Sequence, residues 1–231
     1  MTRAATPMLH ALIDGDAADG GATRKRILDA ALALFLDFGT RRTTIEDVAR
    51  RAGTGRATVY RAFADKGALV QAVLLRECAL AMRDITLRLE QIEDADQRFI
   101  EAFVLTVHGA RNNPLVQRLF DIEAEWLLPY FTVNGGPVLD LARSYTAERF
   151  REAQARGYFT GVDADDAAEL CMRLFHSLVL TPGDRVSARD EQSLRRYAGE
   201  FLLPLLREKP VRDTPVGGKP VRDESVPGKS A

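Results

Sequence analysis

Almost nowhere along the chain do apolar and polar residues alternate. They recur at intervals of three and four, the spacing of helices buried along one stripe. Ile27, Ala31, Leu34, Phe35 and Phe38 make a first stripe, ended by Gly39. Thr44 followed by Asp47 is a capping-box pattern opening a short second helix, with Ile45, Val48 and Ala49 inward and Gly53 as its stop. A third short helix fits residues 56–62, a long fourth 66–92, and a fifth 96–112 before Asn112-Asn113-Pro114. Residues 114–131 read as broken helical turns interrupted by Pro129, and Pro137 opens a helix ending near Gly157. Two strongly amphipathic helices follow. One carries Ala167, Leu170, Cys171, Leu174, Phe175 and Leu178 up to Pro182-Gly183; the other carries Leu194, Tyr197, Ala198, Phe201, Leu202 and Leu205. Asp163 and Ser187 stand where their N-caps are needed, and Pro204 predicts a kink near the end of the second. The fold class expected is all-α.

The 231 residues suffice for one or two domains, and 46% apolar with 28% charged is ordinary for a folded protein. No apolar run approaches the ~20 residues of a membrane span, and the N-terminus, with Asp14, Asp16 and Asp19, lacks a signal pattern. Cys78 and Cys171 are the only cysteines, far apart and in no zinc spacing, which suggests a reducing cytoplasm and no metal. The net charge of −1 hides an asymmetry: residues 23–66 hold ten Lys and Arg against five Asp and Glu, whereas 67–207 hold sixteen against twenty-one. A basic module joined to an acidic body points to a polyanion partner; the plain alternative is chance variation in surface charge. Residues 1–22, rich in Gly, Ala and Asp, read as a flexible arm. Residues 208–231, with KPVRD at 209–213 and again at 219–223, read as a disordered tail.

Within the basic module, residues 44–63 read TIEDVARRAGTGRATVYRAF: short helix, tight turn at Gly53, short helix. That is a helix-turn-helix pattern, and the second helix is slender enough for a major groove roughly 12 Å wide. Its first turn offers Arg56, whose fork matches guanine O6 and N7, and Thr58, which can bond a base edge or pack on a thymine methyl. Val59 and Phe63 fall on the opposite, core-facing side. Tyr60 and Arg61 flank the groove for phosphates, Lys66 starts the next helix where it can grip another, and Thr43 and Thr44 suit the other groove wall.

The residues Phe35, Gly39, Thr44, Ile45, Val48, Ala49, Ala52, Gly53, Thr58, Val59, Tyr60, Phe63, Lys66 and Leu69 closely resemble the DNA-binding domain of TetR-type (tetracycline-repressor-like) transcriptional regulators. The resemblance covers about residues 23–70. It implies a three-helix DNA-binding domain, a larger helical ligand-binding and dimerisation domain, homodimers formed through the last two long helices, and repression of an operator relieved by a small-molecule effector. By position it implies phosphate contacts at Thr44, Tyr60 and Lys66, and base-reading positions at Arg56, Ala57 and Thr58. The chain departs from the family pattern at Gly55, where Ser is usual, at Ala62, where His is common, and at Ala64, which replaces a common Pro.

The organisation expected is therefore an arm over 1–22, a helix-turn-helix domain over 23–66, an effector-binding and dimerisation domain over 67–207 and a tail over 208–231. Candidate lining for a pocket in the bundle is Phe99, Phe103, Phe120, Trp126, Phe131 and Phe175, with His108 and His176 as polar neighbours, each of which also fits plain core packing. Glu123, Glu125 and Trp126, close to Pro129, are candidates for a pocket mouth. The last two helices, doubled about a two-fold axis, would form a four-helix interface through Leu170, Leu174, Leu178, Leu194, Tyr197 and Phe201; an intrachain core stripe is the alternative. No cofactor is implied. An activator of the same architecture and a helical partner-binding protein remain open. An enzyme would need a nucleophile or acid–base set that the sequence lacks: there is no GxSxG, no Gly-rich phosphate loop, and the only histidines are His10, His108 and His176.

Overall fold

A computed structural model describes residues 21–207 except 122, 123, 182 and 184; the greater part of the expected arm, the whole expected tail and Glu123 lie outside the described residues. Every element among them is helical: α1 Gly21–Phe38, α2 Ile45–Arg51, α3 Arg56–Ala62, α4 Lys66–Leu89, α5 Ala95–Asn112, α6 Pro114–Asp121, α7 Ala124–Phe131, α8 Gly136–Gln154, α9 Ala164–Leu180, α10 Glu191–Tyr197, a π-helical turn Ala198–Leu202, and α11 Leu203–Arg207. The last two residues assigned to the arm, Gly21 and Ala22, already belong to α1.

Short polar side chains start these helices by accepting the amides that no turn precedes. Thr44 forms the full capping box: its hydroxyl accepts from the Asp47 amide at 3.1 Å, while Asp47 Oδ2 accepts from the Thr44 amide at 3.1 Å. These bonds to Thr44, helped by Arg50, hold the Asp47 carboxyl below its ordinary pKa. Asp65, Asp94 and Asp163 cap α4, α5 and α9 in the same way. The expectation for Ser187 is corrected: α10 starts at Glu191 and is capped by Asp190, whose side chain accepts from the Gln192 amide at 3.0 Å. Ser187 lies in the preceding turn, where its hydroxyl accepts from the Arg189 amide and its carbonyl from the Asp190 amide. Residues 114–131 also differ from expectation, forming two helices; Pro114 occupies the first position of α6, where a missing N–H costs nothing, and Pro129 sits only two residues before α7 ends. Pro204 acts as anticipated. It cannot donate to the carbonyl four residues earlier, and the turn before it widens so that the Leu203 amide bonds the Ala198 carbonyl, five residues back.

Packing begins with α1 to α4. Ile27, Ala31, Phe35, Val48, Val59 and Leu69 are at most 1% exposed and share one core. The turn between α2 and α3 passes through Gly53 at φ +62°, with open space where a Cβ would be, so the backbone conformation alone calls for glycine there. α4 runs on beyond this core. Its first turns supply Leu69, Val70 and Val73 to it, and its later Ala79 packs with Leu141 of α8. Between these stretches the buried Arg76 joins Asp29 of α1 at 2.7 Å and Glu77 at 3.2 Å. The expected boundary at residue 66/67 thus falls at the start of a helix that serves both halves. α5 is central to the second half, packing against α4, α9 and α10, while α8 lies along α9. The two final helices both lean on α5 instead of forming an isolated hairpin, because Leu194, Ala198 and Leu202 seat in a core with Phe103, Val104 and Val107.

Leu69→Ala should lower unfolding free energy by ~2–5 kcal/mol in urea titrations, whereas Leu87→Ala, at a site 57% exposed, should change it by less than ~0.5 kcal/mol. A carboxyl with a lowered folded pKa stabilises above its ordinary value of ~4 and loses that contribution as pH falls through the folded value. Asp47→Asn should therefore flatten the acid-side fall of the melting temperature; an unchanged pH slope would mean the box contributes nothing to it.

Candidate nucleic-acid interface

Seven residues make α3, and Gly55, its N-cap, gives it no side-chain cap. The helix is held instead by what it buries. Val59 is 0% and Phe63 4% exposed, both in the core with Phe35 and Leu69. Pinning this face turns Arg56, Ala57, Tyr60 and Arg61 outward, with Thr58 half-buried at the edge. Arg56 is ordered within this face: its guanidinium donates to the Tyr60 hydroxyl at 3.4 Å and lies 5.4 Å from the Tyr60 ring centre. The bond to Tyr60 raises the guanidinium pKa further, so the fork stays charged. A partly ordered, permanently charged fork beside a phenol can reach base edges and a phosphate from adjacent turns.

The flanking residues are less free than their sequence positions suggest. Thr43 is a correction: it is 3% exposed, and its hydroxyl donates inward to the Gly39 carbonyl at 2.7 Å, because a hydroxyl buried there needs an acceptor within the fold. Thr44 is exposed, but its hydroxyl is engaged with Asp47. The Lys66 ammonium donates to the Arg41 carbonyl at 3.0 Å, and the Asp65 side chain occupies the α4 amide that an anion would otherwise meet. Lys66 thereby ties the loop before α2 to the start of α4. Sequence reasoning missed Arg24, which donates to the Ala62 carbonyl at 3.4 Å and lies 4.4 Å from the Phe63 ring centre, clasping the end of α3 from α1. Its only trace in the sequence is a basic residue in the first turn of an otherwise apolar stripe.

A cavity of about 1140 Å³ opens among α4, α5, α8 and α9, its wall largely apolar. Phe99, Phe103, His108, Phe131, Phe175 and His176 are among the residues that line it; the side chains of Phe120 and Trp126 lie outside the described residues. Glu125 is exposed and Phe131 half-buried. His176 Nε2 lies 2.5 Å from the Phe131 carbonyl. Unanticipated wall residues include Tyr145, Arg149, Phe150, Phe159 and both cysteines, whose burial pushes their thiols up to about 12 and leaves them inert. Two wall residues carry buried donors or acceptors that find no partner, His108 Nδ1 and Arg149 Nε; each such group typically costs ~1–3 kcal/mol.

The residues expected at a dimer interface divide. Leu170 and Phe201 are exposed, as is Leu205; Tyr197 stacks on Phe201 with ring centres 5.6 Å apart. Leu174 and Leu178 are half-buried against the core around Val107. Leu194 is corrected to an intrachain role: it is 0% exposed, because α10 turns it directly onto α5. Among the described residues no helix is long and apolar enough to cross a membrane, and no group of three or more His, Cys, Asp or Glu could hold a metal ion.

Comparison with known proteins agrees with this architecture. The model for bacterial regulatory proteins of the tetR family matches residues 27–73, and that for the bacterial tetracyclin repressor C-terminal domain matches residues 94–196. The HTH-type transcriptional regulator TtgW of Pseudomonas putida is 36% identical over 107 residues, 46% of this chain and 75% of that protein. An HTH-type transcriptional regulator of Mycobacterium tuberculosis is 26% identical over 181 residues, 78% of this chain and 84% of the other. The fold is similar to that of AlkX, a TetR family repressor from Dietzia implicated in biodegradation of n-alkanes, with a TM-score of 0.60 and 23% identity over 79% of this chain and 94% of that one. With two family models together spanning most of both halves, the chain belongs to the TetR family of bacterial transcriptional regulators, and α1 to α3 carry its DNA-binding helix-turn-helix.

Proposed function

We propose that the protein is a homodimeric repressor that binds a palindromic operator and releases it when a small molecule occupies the cavity. The observation that carries this reading is the Arg56–Tyr60 face of α3, turned outward by Val59 and Phe63 on a scaffold that α4 shares with the cavity. Two copies of α3 would enter successive major grooves ~34–36 Å apart. Arg56 and Thr58 would read bases; Tyr60, Arg61, Thr44 and Lys66 would contact phosphates, the last two by sharing groups already bonded within the fold. Ala57 would pack closely against the groove floor. The protein would act in the cytoplasm, on the nucleoid.

Pairing of two chains is supported by Leu170, Phe201 and Leu205, large apolar side chains that α9, the π-helical turn and α11 leave exposed in the single chain. Transmission from cavity to reading head has a physical route. Leu115, Tyr130, Phe131 and Leu180 pack against the α1–α4 core, and Tyr130 and Phe131 also line the cavity. The Tyr130 hydroxyl stands close to the head of α4: a Cβ at Gly67 would lie 3.1 Å from it. A ligand that displaces this wall would shift α4, and with it Lys66 and the loop that Lys66 holds. A coupling of ~1–3 kcal/mol would change DNA affinity 5–150-fold.

Selection of bound DNA from a random library should return a palindrome. Against that site, Arg56→Ala should cost ~1–3 kcal/mol and relax one base position, whereas Arg61→Ala should weaken all sequences alike and lower the salt slope by ~1; unchanged base preference in Arg56→Ala would overturn its assignment. In sedimentation experiments Phe201→Glu should shift the protein from dimer to monomer and abolish cooperative occupancy of the two half-sites. A variant that remained dimeric would place the interface elsewhere.

A further inference from the structure

We infer that Tyr60 sets base selectivity as a positioning residue: it holds the Arg56 guanidinium in the pose that reads a base pair, besides contacting a phosphate itself. The inference rests on the base-reading role given to Arg56 above. Arg56 opens α3 and Tyr60 stands four residues later, so the two share one face. Long side chains on a helix lean towards its N-terminus, which brings the Tyr60 ring over the turn that Arg56 begins. Two contacts result: the guanidinium donates to the Tyr60 hydroxyl at 3.4 Å and lies 5.4 Å from the ring centre. No neighbour shares the task. Gly55 has no side chain, Ala57 offers only a methyl, and Thr58 is half-buried. Among the described residues the Tyr60 hydroxyl is the only hydrogen-bond acceptor of the Arg56 side chain, and Glu46 of α2 adds only a weaker charge attraction.

Donor accounting permits both roles at once. A guanidinium carries five N–H donors, and one goes to Tyr60, which leaves enough for the two parallel bonds to guanine O6 and N7. Tyr60 accepts through an oxygen lone pair and keeps its own proton, which a phosphate oxygen takes. The phenol then links backbone to base: a phosphate that fixes the hydroxyl also fixes the arginine one turn earlier. Selectivity follows from the restraint. An arginine free to turn finds another acceptor, a neighbouring base or a phosphate, when its base pair is wrong, and so penalises the wrong base little. Held by Tyr60, it faces one base pair and forfeits both bonds when that pair changes.

The test measures binding of the library-selected operator and its single-base variants by the full chain, as wild type, Arg56→Ala, Tyr60→Phe and the double variant. Tyr60 is 42% exposed and phenylalanine keeps the ring, so the fold is retained. The quantity read is the ratio of dissociation constants between the operator altered at the base pair that Arg56→Ala identifies and the operator itself. Tyr60→Phe should lower this ratio about fivefold, the factor for one hydrogen bond, and leave the ratios at other base pairs intact. The salt slope should stay the same, because no cation is lost. In the Arg56→Ala background, Tyr60→Phe should not lower the ratio further, since the hydroxyl has no guanidinium left to hold. A loss equal on all sequences would make Tyr60 a phosphate contact alone and overturn the inference; so would a ratio that falls again in the double variant. If Arg56→Ala itself leaves every ratio unchanged, the base-reading role of Arg56 fails, and the inference fails with it.

Discussion

A seven-residue helix has no independent stability in water, since forming its first turn fixes three residues for a single hydrogen bond. Everything the reading head does depends on the burial of Val59 and Phe63, which supplies from tertiary contact what α3 lacks in length and in a side-chain cap. The same burial fixes its rotation about its own axis. With those two side chains inward, Arg56 and Tyr60, one turn apart, have only the solvent face left to occupy. Arg24 adds a clasp from α1, so α3 is gripped by the first helix at its end and by the shared core at its middle.

The second dependence is on α4. A helix of 24 residues spans about 36 Å, enough to begin in one core and end in another. Because it is unbroken, its two ends are mechanically coupled. Arg76 reinforces the junction: a buried guanidinium that lost Asp29 would retain only Glu77, so the contact between α1 and α4 has an electrostatic as well as an apolar component. The cavity meets this helix along its later turns, and the Tyr130 hydroxyl of α7 stands close to its head, so under the proposed function a molecule in the cavity would have two ways to move the start of α4.

Much of this was legible in the chain itself. Local rules act within a few residues, and they located the Thr44–Asp47 box, α3 to the residue, the buried Val59 and Phe63, and the Pro204 distortion. Two features failed because two local choices were equally good. Ser187 and Asp190 both offer capping oxygens, and only the path of the preceding turn selects Asp190. Leu194 and Phe201 lie on related positions of one stripe, and periodicity cannot say which meets its own chain; α5 claims Leu194 and leaves Phe201 outside. Arg24, Arg149, Phe150 and Phe159 were invisible for a further reason. Their roles arise from segments distant in sequence, and nothing in the spacing of their neighbours announces the approach. Thr43 shows the reverse error, a polar residue assigned outward whose hydroxyl serves an internal carbonyl.

The central claim is that α3 lies in the major groove in matched pairs. Methylation interference at guanine N7 on the selected DNA site tests it most directly, since N7 faces only that groove. The account predicts interference at guanines in two clusters, symmetric about the centre and one helical turn apart, with one position in each cluster losing its effect in Arg56→Ala. Interference confined to minor-groove adenine positions, or a single unpaired cluster, would contradict it.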